Sequence, residues 1–148
     1  MSAIENVLSV YPVIVKRLKV MNERIRILVG YDDSLQSKKA LKEAITIAKH
    51  FSGFIKVVNV YERGKKKEAE AAILEAEQNL KQEKVAHESS LVLGSNPAKV
   101  LVIMAKQENF ELIAVGSRGL GRKVSMLLGS VSKQVVSNAH CNVLVVKK

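Results

Sequence analysis

The sequence predicts an α/β protein, a doubly wound parallel sheet of five strands with about four helices, and two observations carry that reading. Short, mostly apolar runs alternate along the chain with segments whose apolar residues recur every three or four positions, the two periods that separate buried strands from amphipathic helices. Such alternation favours parallel strands joined by right-handed crossovers. The junction Gly116-Ser-Arg-Gly119-Leu-Gly-Arg-Lys-Val-Ser-Met-Leu-Leu-Gly129-Ser130-Val131-Ser132 then sets glycines and hydroxyls where a strand should end and a helix begin.

Taken in order, the first strand ends near Tyr31. Asp33, with Gln36 three residues on, is a candidate helix cap, and Leu41, Ala44, Ile45 and Ala48 mark one apolar face before Gly53 closes the helix. The second strand runs from about Phe54 to Val60. After the polar connection Glu62 to Lys67, a stripe of Ala69, Ala72, Ile73, Ala76 and Leu80 defines the second helix. Ser89 to Leu93 suits a third strand. Pro97 fits the first position of the third helix, whose expected buried face is Val100, Leu101, Met104 and Ala105. Glu111 to Val115 is the fourth strand, and Val131, Val135 and Ala139 recur at intervals of four in the last helix.

Length and composition fit one modest domain. A chain of 148 residues, 47% hydrophobic and 26% charged, buries roughly two-thirds of its unfolded surface. Residues 1–23 read as an N-terminal extension and 24–148 as the domain. Val7 to Val15 is apolar, but Glu5 precedes it, no basic segment does, and Pro12 interrupts a run far short of the ~20 residues that span a bilayer. It is expected to pack on the domain or a partner subunit, with attachment to an anionic membrane surface through Lys16, Arg17 and Lys19, or disorder, as the other readings. Cys141 is the one cysteine, so no intramolecular disulfide forms, and a cytoplasmic location is expected.

A net charge of +10 raises the question of nucleic acid. Three Phe, three Tyr and no Trp leave little for base stacking, and no DNA- or RNA-binding motif is present, so sequence-specific recognition is not expected. Binding of some other anionic partner stays open. His140 beside Cys141 lacks further spaced ligands and does not read as a metal site.

The junction after the fourth strand is the candidate site. Glycines at 116, 119, 121 and 129 give an anion access to backbone amides, Ser130 and Ser132 add hydroxyl donors, and a helix N-terminus carries roughly half a positive charge. Arg118, Arg122 and Lys123 strengthen the local positive potential. The loop reads as a nucleotide cradle.

The spacing Gly116-x2-Gly119-x9-Gly129-Ser130 resembles the ATP-binding signature of the universal stress protein family. Four further landmarks resemble that family in order: Arg26-Ile-Leu-Val-Gly-Tyr-Asp32-Asp-Ser34 followed by Ala40-Leu41, Ile55 to Glu62, Leu93-Gly-Ser-Asn-Pro-Ala98, and Val143-Leu-Val-Val146. The resemblance covers about residues 24 to 148. It implies strand order 3-2-1-4-5, a Rossmann-like fold of the adenine nucleotide alpha hydrolase kind, with strands one and four at the switch point where ligands bind.

The resemblance also implies site residues. Asp32 falls beside ribose and adenine, where a carboxylate accepts hydrogen bonds from hydroxyl or amine. Ser34 shares its loop; taken alone, Asp32 and Ser34 read as helix caps, a role compatible with ligand contact. Gly30 and Tyr31 match first-strand contacts, with Tyr31 bulky enough to stack on the base or partly block it, and Val60 matches a backbone contact to the adenine edge. Val115, at the fourth strand's end, borders the phosphate loop, where Gly116, Arg118, Gly119, Gly129, Ser130, Val131 and Ser132 are the expected phosphate and ribose contacts. Two departures stand out: Asp33 replaces a usual glycine and adds negative charge, and Asn142 replaces a usual proline.

The implied function is ATP or AMP binding by a nucleotide-dependent sensor or adaptor in a stress response. A homodimer paired through the last strand and an unidentified protein partner are also expected. No Gly-x4-Gly-Lys-Ser/Thr loop is present; slow ATP hydrolysis, assisted by Asp32 or a bound Mg²⁺, is the enzymatic alternative.

Overall fold

The computed structural model describes residues 24–118 and 128–147. The expectations for residues 1–23, and for Gly119, Gly121, Arg122 and Lys123, therefore lie outside the described residues. Five strands, β1 (Arg26–Gly30), β2 (Phe54–Tyr61), β3 (Ala86–Leu93), β4 (Leu112–Gly116) and β5 (Asn142–Val146), alternate with four helices, α1 (Leu35–His50), α2 (Lys66–Gln82), α3 (Pro97–Gln107) and α4 (Ser130–Asn138). The strands form one parallel sheet in the order β3-β2-β1-β4-β5. The doubly wound five-stranded fold is as expected.

Strand alternation divides the core into two layers. Ile27 and Val29 of β1, with Ile55 and Val57 of β2, pack against Leu41, Ala44, Ile45 and Ala48 of α1 and Ala72, Ile73, Ala76 and Leu80 of α2. On the other face Leu28, Val58, Ile113 and Val115 pack against Ala98, Leu101 and Ala105 of α3 and Val135 of α4. The α2 stripe is buried at every residue expected. In α3 the buried residues are Ala98, Leu101 and Ala105; Val100 and Met104 are half-buried, because α3 rests on the sheet through its smallest side chains.

The start of α1 decides among the expected caps. Ser34, not Asp33, caps α1, its hydroxyl accepting from the Ser37 amide at 3.1 Å. Asp33 instead takes φ 65°, a left-handed conformation that no N-cap adopts. Nor does Gly53 end α1. Ser52 makes the turn at φ 49°, while Gly53 permits close approach: a Cβ there would stand 2.7 Å from Ile25 Cγ2 and 3.0 Å from Ala48 Cα.

β3 begins at Ala86, earlier than expected. It is an edge strand, and His87, Glu88 and Ser89 hide its pattern. Beside it lies a buried lysine that the sequence does not signal. Lys56 on β2 is 7% exposed and pairs with Glu88 at 2.8 Å and Glu108 at 2.9 Å. Burial alone would lower the ammonium pKa; the hydrogen bonds to Glu108 and Glu88 outweigh it and raise the value. Nearby, Arg26 lies 4.9 Å from the Phe54 ring and 4.7 Å from that of Phe110. These interactions knit the amino ends of the strands and leave the carboxyl ends for the site. Among the described residues, no helix is long and apolar enough to cross a membrane.

Candidate functional site

β1 and β4 are neighbours, but α1 and α4 depart to opposite faces of the sheet, opening a crevice between the two turns. A cleft of about 240 Å³ occupies it. That is below the ~300–1,000 Å³ common for drug-sized ligands, so one small molecule fits better than a peptide segment. Of the expected site residues, Gly30, Tyr31, Asp32, Ser34, Val60, Val115, Gly116, Arg118, Gly129, Val131 and Ser132 line it. Ser130 begins α4 next to it, and Gly119 lies outside the described residues. Ser37, Val58, Pro97, Leu101 and Ser117 also line it and were not read from the sequence. For Ser117 the motif itself was the available signal; for Leu101 it was only a place on α3's apolar face.

The cleft is chemically divided. Val58 and Val60 of β2, Pro97 and Leu101 of α3, and Val115 and Val131 form its apolar walls. Gly30 keeps that region open: a Cβ there would stand 2.9 Å from Leu101 Cδ1 and 3.3 Å from Val115 Cγ1. Asp32 is the only acidic residue lining the cleft among the described residues, and Arg118 the only basic one. The Asp32 carboxylate accepts from the Ser34 amide at 3.1 Å.

On the β4 side, α4 starts at Gly129, which has no side chain to occupy the first-turn amides, and no acidic residue stands in that turn. The dipole of α4 therefore favours an anion at this wall. The mouth of the intervening loop is pinned by backbone: the Gly129 amide donates to the Ser117 carbonyl at 2.6 Å, and the Ser117 amide to Val146 at 2.8 Å. Ser132 adds to the pin. Its hydroxyl lies 2.9 Å from the Ser117 carbonyl and 3.0 Å from that of Gly129, and the residue is 1% exposed. The single hydroxyl proton is directed toward these two carbonyls and holds the turn together.

Tyr31 lines the cleft from the core layer on the α1 and α2 face, with Ile27 and Val29. The apolar walls lie on the opposite face. Burial first, then the Glu75 carboxylate, raises its phenol pKa to about 12; Lys38 opposes, and Asp33 and Asp32 add smaller effects. The Asp33 carboxylate is ion-paired rather than bare, though one ammonium serves two carboxylates. Lys38 bridges Asp33 at 3.1 Å and Glu75 of α2 at 3.1 Å.

The universal stress protein family model matches residues 24–147. The chain belongs to the universal stress protein family. A universal stress protein of Thermus aquaticus is 35% identical over 141 residues, covering 82% of this chain and 97% of that protein. A universal stress protein solved in complex with cAMP is 28% identical, with TM-score 0.68 over 82% of this chain and 95% of that one. An Arabidopsis thaliana family member solved with AMP bound shares the fold at 20% identity, TM-score 0.66, over 84% of this chain and 92% of that one. Universal stress proteins thus include members that hold adenine nucleotides.

Proposed function

We propose that this universal stress protein is of the ATP-binding type, holding ATP or AMP in the cleft between the β1–α1 and β4–α4 turns and acting as a nucleotide-dependent sensor or adaptor. The observation that carries this reading is the division of the cleft. Apolar walls from Val58, Val60, Pro97, Leu101 and Val131 suit a flat base, while Gly129 and the uncapped start of α4 suit an anion, and Asp32 lies between as a hydrogen-bond acceptor. The complexes of relatives with cAMP and AMP support an adenine nucleotide. Gly119, Gly129 and Ser130 would approach the phosphates, and Gly30, Val60 and Val115 the base and ribose.

Among the described residues no three His, Cys, Asp or Glu side chains gather as a metal cluster. A Mg²⁺ carried on the phosphates would have Asp32 as the carboxylate lining the cleft. Dimerisation through β5 accords with its place at the sheet edge and its half-exposed Val143 to Val146. Reversible, nucleotide-dependent pairing with a partner protein in the cytoplasm would be the output.

Calorimetric titration of nucleotide-stripped protein with ATP and Mg²⁺, AMP and cAMP tests the reading, beside a Gly129→Val, Ser130→Ala double variant. Binding near micromolar, about 8 kcal/mol, that disappears in the folded variant is expected. No heat with any of the three ligands would overturn it.

A further inference from the structure

We infer that Ser37 is a positioning residue for the nucleotide, holding Asp32 at a fixed place relative to the β4–α4 wall; this rests on the nucleotide reading above. Ser37 is 3% exposed and lines the cleft, yet its polar atoms are turned toward the protein. Its amide donates to the Ser34 hydroxyl at 3.1 Å, and its own hydroxyl donates to the Ser34 carbonyl at 3.0 Å. The same oxygen accepts from the Asp32 amide at 3.4 Å, at the long end of hydrogen bonding. The Ser34 amide in turn donates to Asp32 Oδ1 at 3.1 Å. Asp32, Ser34 and Ser37 thus close a ring of four hydrogen bonds that fixes both the backbone and the carboxylate of Asp32.

A hydroxyl has one proton to give. Ser37 gives it to Ser34, so its effect on a ligand must pass through Asp32. The second half of the inference comes from the neighbouring strand. A Cβ on Gly116 would stand 3.0 Å from the Ser37 amide nitrogen and 2.8 Å from Gln36 C, so the end of β4 is pressed against the first turn of α1. The residue that orients Asp32 therefore sits on the backbone that leads into the phosphate side. Ser37 references the ribose and base acceptor to the anion wall, and preorganisation of this kind contributes to affinity without a direct ligand contact.

The test is a double-mutant cycle for AMP affinity with Ser37→Ala and Asp32→Ala, with melting temperatures recorded for each protein. Ser37→Ala keeps the Ser34 cap and is expected to weaken AMP about fivefold, the range of one neutral hydrogen bond. In an Asp32→Ala background the same change is expected to have less than about a twofold effect, since its route to the ligand is gone. Multiplying effects would overturn the inference and assign Ser37 to helix stability alone, while leaving the nucleotide reading intact. Absence of AMP binding to the unaltered protein would overturn both. If Ser37→Ala fails to fold, Ser37→Cys fills the buried volume with a weaker hydrogen-bonding group and carries the same cycle with the same two outcomes.

Discussion

Gly116 lies so close to Gln36 that a Cβ built on it would stand 2.6 Å from Gln36 Cβ. The contact joins the end of β4 to the first turn of α1 and accounts for this glycine without a ligand. Access to phosphate was the reason its residue type suggested; packing against a helix is the reason the structure supplies.

Gly116→Ala is accordingly expected to destabilise the fold by about 1–3 kcal/mol, the range of an overpacked core site. Gly129→Ala should cost far less, because its φ of −76° suits any residue and its nearest obstruction is the Ser117 carbonyl oxygen at 3.3 Å. Urea unfolding of the two variants checks the order. Equal losses would mean that Gly116 is not pressed on α1 as described.

Asp33 stands at φ 65° where a glycine is usual in the family. Asp33→Gly should leave stability nearly unchanged, whereas Asp33→Val, branched at Cβ, should lose about 1–3 kcal/mol. Removing the carboxylate deletes one negative charge near the cleft while Lys38 keeps its bridge to Glu75. ATP affinity of Asp33→Gly should rise about two- to threefold at low salt, a gain that 0.5 M salt erases. A gain unaffected by salt would show that the charge is not its cause.

The Tyr31 phenol, raised from 10.0 to about 12, gives stability a defined alkaline limb. The folded state keeps the proton where the unfolded chain has lost it, so the contribution is complete below pH 10 and falls away between pH 10 and 12. Tyr31→Phe should flatten that limb relative to the unaltered protein in pH-dependent melting. Parallel curves for the two proteins would count against burial of the phenol.

Ser130 and Ser132 should separate in their effects. Ser132→Ala removes the hydroxyl that reaches the Ser117 and Gly129 carbonyls and is expected to cost about 1 kcal/mol of stability. Ser130→Ala should instead weaken ATP by more than Ser132→Ala does. The reverse pattern, measured by calorimetry and thermal melting together, would show that the two hydroxyls have been assigned to the wrong roles.

Much of this was legible beforehand because it depends on local periodicity. The α2 stripe and the order of elements follow from residues within one or two turns of each other, whereas most of the cleft lining was legible only through the resemblance to the family's motifs. Ser34 and Asp33 show the limit of such reading. Both residue types cap helices, and only the left-handed backbone at Asp33 decides between them.

By itself, then, the sequence determined that strands and helices alternate, which favours a parallel sheet, and that a glycine-rich turn follows the fourth strand, since alternation and spacing are properties of neighbouring residues; that this turn meets the β1–α1 turn was implied only by the family resemblance. Tertiary structure decided what depends on distant segments meeting. It set Tyr31 in the core layer on the α1 and α2 face, brought Pro97 and Leu101 from α3 into the cleft walls, directed the Ser132 proton toward Ser117, and buried Lys56 between Glu88 and Glu108. The physical reason is common to all four. A side chain's face and its hydrogen-bond partner are fixed by what packs opposite it, and the packing partner lies elsewhere in the chain.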